Sequence, residues 1–285
     1  MRRILIVGCG YVGQKAADVF HEAGWKVEGW TASAESASAL SAKPYPVVPH
    51  DASDPACVES QGGRFDAVVQ CASSAGGDAE AYRRVYLRVA ENLVRAFADV
   101  TLLFTSSTSV YAQLGGELVD EKSAADPQRE TAKVLRETEN LILAHGGIVA
   151  RLAGIYGPGR SALLRKFLRG EAAAGVTEER FVNYVHRDDV AAALFILINQ
   201  RAELAPPRIY NVVDDTPLPL TKCYELLAEI LPTRLPADDT LPAAASKRGP
   251  SNKRVSNTKL RALGWSPRYR SFREGMEQSV IPQRE

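Results

Sequence analysis

An α/β fold built on a doubly wound parallel sheet is what this sequence predicts, and three observations carry the prediction. Short apolar runs of strand length alternate with longer helical segments as far as residue 152, the rhythm of a sheet with crossover helices. The opening run Ile4-Leu5-Ile6-Val7 is continuously apolar, as a strand covered on both faces must be. A glycine cluster, Gly8-Cys9-Gly10-Tyr11-Val12-Gly13, follows that run and opens a helix.

The elements then follow in order. The first helix covers 11–23, and Gly24 stops it from a position where positive φ costs glycine little. Residues 26–30 read as a strand, 34–41 as a helix and 46–48 as a strand. Next come a strand at 66–71, a long helix at 78–98, a strand at 101–105, a helix at 127–145 and a strand at 148–152. Beyond Leu152 the rhythm breaks. Gly154, Gly157, Pro158 and Gly159 make a loop, followed by helices at 162–169 and 187–198 and a strand at 208–212. The remainder is predicted helical with proline-rich joints, the alanine-rich 241–246 segment being a helix or linker. The expected division is a sheet domain of residues 1–154 and 181–215, and a small, mostly helical C-terminal domain of residues 155–180 and 216–285.

Composition excludes several classes. The 285 residues are 45% hydrophobic and 24% charged, with a net charge of +1, so no field draws the protein to nucleic acid or an anionic membrane. Arg261, Arg268, Arg270 and Arg273 read as a solvated face. No apolar stretch approaches the roughly 18 residues of a membrane span. The run after Arg2-Arg3 ends at Gly8, too short for a signal peptide, so a cytoplasmic protein is expected. Cys9, Cys57, Cys71 and Cys223 form no CxxC pair and have no histidine at ligand spacing, so no metal site is expected. Cys9 and Cys71 read as small buried hydrophobes.

The glycine cluster has the GxGxxG pattern between a strand and a helix, the context in which it binds the pyrophosphate of a dinucleotide. Gly8 permits the tight turn, Gly10 lets the backbone approach the phosphates, and Gly13 lets helix pack on strand. Tyr11 and Val12 complete the turn. The competing reading is a glycine-rich turn without a ligand. The ribose-binding carboxylate of this Rossmann-type pattern is missing: the second strand ends at Thr31, with Glu28 inside it and Glu35 a turn into the next helix. No carboxylate repels a 2′-phosphate and no arginine binds one. Thr31 and Ser33 as hydroxyl donors tilt an NAD(P) expectation slightly toward NADP. Asp51 and Asp54 are candidates for the adenine end, a loop aspartate and helix cap being the alternative.

Five further segments carry a family likeness. Thr105-Ser106-Ser107-Thr108-Ser109-Val110-Tyr111 resembles an SSxxVYG segment, and Arg151-Leu152-Ala153-Gly154-Ile155-Tyr156-Gly157-Pro158-Gly159 resembles an arginine strand followed by YGPG. Asn183-Tyr184-Val185-His186-Arg187-Asp188-Asp189-Val190, Ile209-Tyr210-Asn211-Val212 and Leu263-Gly264-Trp265-Ser266-Pro267 resemble its VHVDDVA, YNV and LGWxP segments. In this order they resemble the extended short-chain dehydrogenases/reductases, the NAD-dependent epimerase/dehydratase family, in a compact and divergent form.

The resemblance implies a site around the nicotinamide. Its serine falls on Ser107, to bind a substrate oxygen. Its lysine falls on Lys133, with Glu137 four residues on, to hold the ribose. Its tyrosine slot is then Arg129, and an arginine keeps its proton at neutral pH, although it can bind an anion. No tyrosine lies between Asp120 and His145. Either Tyr111, Tyr156 or Tyr184 supplies the proton, each with a structural aromatic as its competing reading, or hydride transfer is lost and the protein is a non-catalytic sensor or interaction protein. The family's asparagine slot is Tyr86, with Asn92 following. The short segment after Gly159 argues against a nucleotide-sugar lid and for a small hydroxylated or sugar-like substrate. His186, Asp188 and Asp189 read mainly as a loop entering a helix, and Arg151 as an anion contact or an internal hydrogen-bonding residue. A homodimer through the fourth and fifth crossover helices is a family expectation.

Overall fold

The computed structural model describes residues 1–61, 64–74, 76–171, 180–231 and 251–283; the 241–246 segment lies outside them. The chain divides into two compact units. The first comprises Met1–Val110, Ala125–Arg151 and Val190–Tyr210, the second Tyr111–Ala124, Leu152–Asp189 and Asn211–Glu285. Residues 111–124, 152–154, 181–189 and 211–215, placed in the sheet domain on sequence, therefore lie in the second unit.

Strands β1 (Arg3–Val7), β2 (Lys26–Thr31), β3 (Val47–Pro49), β4 (Ala67–Gln70), β5 (Thr101–Ser107), β7 (Ile148–Leu152) and β11 (Ile209–Val212) form one sheet in the order β11-β7-β5-β4-β1-β2-β3. Pairing of β1 with β2 and β4, of β2 with β3 and of β4 with β5 is parallel. Val7 lies opposite both Trp30 and Gln70, so three strands end level and their following loops share one edge. In open parallel sheets ligands bind at that edge.

Helices α1 (Tyr11–Glu22), α2 (Ala34–Ser38) and α3 (Pro55–Glu59) link the first strands. The long helix expected at 78–98 is three pieces: α4 (Ala79–Tyr82), a wider π segment at Arg83–Arg88, and α5 (Val89–Ala96). Helix α6 (Glu130–Ala144) starts later than the sequence suggested, because Arg129 is extended at φ −85° and ψ 135°.

The second unit holds three strand pairs. These are β13 (Lys253–Val255) with β6 (Glu117–Val119), β10 (Tyr184–His186) with β8 (Gly154–Tyr156), and β12 (Leu218–Pro219) with β9 (Phe181–Val182). Strands β12 and β13 fall where helix was expected; at two and three residues they carry no periodicity to read. Tyr156, Phe167, Cys223, Leu227, Phe272 and Met276 form this unit's core.

Candidate functional site

The turn after β1 is tight because Gly8 sits at φ +90°, and a Cβ there would lie 2.3 Å from the Ala72 nitrogen. A Cβ on Gly13 would meet the Gly8 oxygen at 2.2 Å, so only glycine lets α1 start this close to its strand. Gly10 differs: a Cβ there meets no atom within 4 Å. The open space beside Gly10 is where a ligand's phosphates would press on the backbone.

The turn's own amides are largely spent. Gly8 and Cys9 both donate to the Trp30 oxygen, at 3.0 and 2.8 Å, and Gly10 donates to the Gly8 oxygen at 2.8 Å. Donors left open to a ligand are those in the first turn of α1, such as Val12 and Gly13, which lie in the stretch where a helix supplies no intrahelical acceptors. Cys9 is packed inward, its Sγ 2.9 Å from where a Gly29 Cβ would stand, and burial pushes its thiol up to about 11.

At the end of β2, Thr31 Oγ1 donates to the Ser33 carbonyl oxygen at 3.1 Å. A carbonyl only accepts, so the Thr31 proton is used and its lone pairs remain. Ser33 caps α2, accepting from Ser36 N at 3.2 Å and bonding Ser36 Oγ at 3.0 Å. Neither hydroxyl is thus set as a donor to a 2′-phosphate, which removes the basis for the tilt toward NADP. Asp51 Oδ1 accepts from the Ser53 amide and hydroxyl, at 2.9 and 2.7 Å, and Asp54 caps α3 through the Ala56 amide. Both follow β3 in the manner of loop and cap residues.

At the end of β5, the Ser107 oxygen takes the Ser109 amide at 3.1 Å. Lys133 lies elsewhere. Ala132, Val134, Leu135, Thr138, Glu139 and Ile142 are the buried residues of α6, and at 3.6 residues per turn Lys133 and Glu137 fall on the opposite side. Lys133 is half exposed and pairs with Glu130 at 2.8 Å; Glu137 pairs with Arg83 at 2.9 Å. The lysine role inferred from spacing is therefore not supported by placement, and Arg129 is exposed and outside the helix.

The inward carboxylate is Glu139, missed on sequence. Its Oε1 accepts from Ser106 Oγ at 2.6 Å and Arg151 Nε at 3.0 Å; its Oε2 binds Arg151 Nη2 at 2.7 Å and also Arg136. Arg151 has an internal partner. The apolar period of α6 held the signal: residues 131, 135 and 139 share a face, whereas 133 and 137 share another.

The three candidate tyrosines belong to the second unit. Tyr111 donates to Asn211 Oδ1 at 2.9 Å, and Tyr156 to the Ser271 oxygen at 3.2 Å. Tyr184 stacks on Phe272, ring centres 4.8 Å apart. Burial, with Asp214 and Asp189 nearby, drives the Tyr156 hydroxyl's pKa upward, the wrong direction for proton exchange near neutrality. His186 Nδ1 accepts from Asp188 N and its Nε2 faces Ser279 Oγ at 3.1 Å. Asp189 accepts the Arg268 and Tyr269 amides, yet burial still raises it to about 6. Tyr86 accepts from Ser74 N at 3.4 Å, and Asn92 donates to the Ala52 oxygen at 3.0 Å.

Among the described residues no cluster could hold a metal ion, and no helix is long and apolar enough to cross a membrane. Residues 4–212 match the NAD dependent epimerase/dehydratase family. Protein YeeZ of Escherichia coli (strain K12) is 29% identical over 230 residues, covering 74% of this chain and 77% of that protein. A solved structure from Methylobacillus flagellatus has a TM-score of 0.81 at 29% identity, covering 100% of this chain and 99% of that one. UDP-glucose 4-epimerase of Thermus thermophilus, in complex with NAD, has a TM-score of 0.79 at 22% identity, covering 98% of each chain; at that identity the likeness is one of fold.

Proposed function

The chain belongs to the NAD dependent epimerase/dehydratase family, and from that premise we propose an NAD-dependent oxidoreductase of epimerase/dehydratase type, acting on a small hydroxylated or sugar-like substrate. The observation that carries the reading is the contrast among three glycines. Gly8 and Gly13 are fixed by contacts within the fold, whereas Gly10 faces open space that the fold does not use. Amides at the start of α1 hold the pyrophosphate there. Thr31, its proton already given to Ser33, accepts from a ribose hydroxyl, which favours NAD over NADP.

The nicotinamide, when bound, accepts and returns a hydride. Ser107 keeps its own proton to give to a substrate oxygen, since its oxygen takes the Ser109 amide. A tyrosine–lysine relay is not built on the inward face of α6, where Leu135 and Glu139 stand. That face favours a second reading, a protein that binds NAD without turning over substrate. One experiment separates the two: single-turnover absorbance at the nicotinamide band with a panel of small polyols and hydroxy acids. Reduction of bound NAD that falls about 100-fold in Ser107→Ala, the scale of lost proton assistance, supports the oxidoreductase. NAD binding with no reduction across the panel selects the second reading, and absence of NAD binding removes both.

A further inference from the structure

Lys253 opens β13 and is only 3% exposed. Strand alternation turns it inward while its neighbour Arg254 faces out. Its ammonium donates to the main-chain oxygen of Tyr111 at 2.8 Å and to Ser251 Oγ at 2.9 Å. Both acceptors are neutral, and an ammonium has three donors.

Three carboxylates of the second unit are engaged with other groups. Glu121 accepts the Asn211 amide, Asp215 binds Arg261 and Arg270, and Asp189 takes two amides. Burial pushes the Lys253 ammonium down to about 8. Among the described residues no carboxylate bonds this ammonium, and burying a charge without a partner is costly. The strand that carries it is also held in place. Asn183 brackets the strand, donating to the Lys253 oxygen at 2.9 Å and accepting from the Val255 amide at 2.8 Å.

We propose that Lys253 is an anion-binding residue of the second unit, its remaining N–H taking a carboxylate or phosphate oxygen of a small ligand. The proposal deepens the oxidoreductase reading, on which it rests for the ligand's role as substrate, by making that substrate an acid.

Calorimetric titration of the full chain with inorganic phosphate, and separately with malonate, tests it at constant chloride. Saturable heat is expected with at least one of them, and which one assigns the group as phosphoryl or carboxylate. Lys253→Met is expected to weaken that binding about 10- to 100-fold, the span of one charge-assisted hydrogen bond. No saturable heat with either anion overturns the proposal, as does binding that the variant leaves unchanged. Where the variant does not fold, acetic anhydride labelling of the wild-type chain replaces it. Anion should slow acetylation of Lys253 about tenfold, matching the loss of one such bond, with Lys133 unaffected; equal rates overturn the proposal. Titration with NAD runs alongside, so that its failure strikes the cofactor reading and leaves the anion result to stand separately.

Discussion

Arg151 grips Glu139 through two bonds, Nε to Oε1 at 3.0 Å and Nη2 to Oε2 at 2.7 Å. Both side chains are at most 2% exposed, so strand β7 and helix α6 are joined by a charge pair that water does not reach. Replacing Arg151 with methionine removes the buried cation and leaves the Glu139 carboxylate to Ser106 and the partly exposed Arg136. The expected cost is up to about 3–5 kcal/mol, read as a fall in the urea midpoint. Adding Glu139→Gln to that variant should recover part of the loss. Additive losses in the double variant would contradict the pairing.

The glycine turn makes a paired prediction. Gly10→Ala meets no protein atom but sits at φ −90° and ψ −148°, at the edge of the extended region, so it should cost at most about 1 kcal/mol of stability, while the melting rise produced by NAD is lost. Gly13→Ala drives a methyl into the Gly8 oxygen and should cost about 1–3 kcal/mol before any ligand is added. Equal NAD responses in Gly10→Ala and wild type would falsify the pyrophosphate assignment.

Much of the first unit was legible because local chemistry fixed it. The run Ile4 to Val7 is fully apolar, and Gly8 and Gly13 stand where no side chain fits. The inward face of α6 is set by helical period, which motif spacing does not convey. Lys133 has the right distance from Arg129 but points away from Val134 and Leu135. The use of the Thr31 and Ser33 hydroxyls depends on backbone atoms that a one-letter string does not display. The β6–β13 pairing joins Glu117 to Lys253 across the chain, and nothing local in either three-residue strand announces it. Lys253 itself looks like a surface residue until its partner strand is known.

Thr31 makes a prediction about cofactor preference. Its hydroxyl proton is committed to the Ser33 oxygen, leaving an acceptor for a ribose hydroxyl and no donor for a phosphate. NAD should raise the melting temperature more than NADP at equal concentration, with affinities at least about tenfold apart, or about 1.4 kcal/mol. Thr31→Val should narrow that gap by weakening NAD. A larger shift with NADP would overturn the assignment.

The last prediction concerns pH. Asp214 is buried, and its Oδ2 has no hydrogen-bond partner among the described residues, while Oδ1 takes only the Thr216 amide at 3.1 Å. Burial, reinforced by Asp215, Asp189 and Glu274, raises its pKa well above the ordinary aspartate value. The folded chain therefore holds this proton more tightly than the unfolded chain does. By linkage, its contribution to stability is complete below the unfolded aspartate pKa and fades as pH rises through the folded value. An asparagine at this position cannot ionise and keeps the oxygen that faces Thr216. Asp214→Asn should thus leave the melting temperature near wild type in acid and raise it progressively toward mildly alkaline pH. Calorimetric melts across that range check the sign. A difference that is constant with pH, or greatest in acid, would show that the carboxyl is ionised in the fold and partnered.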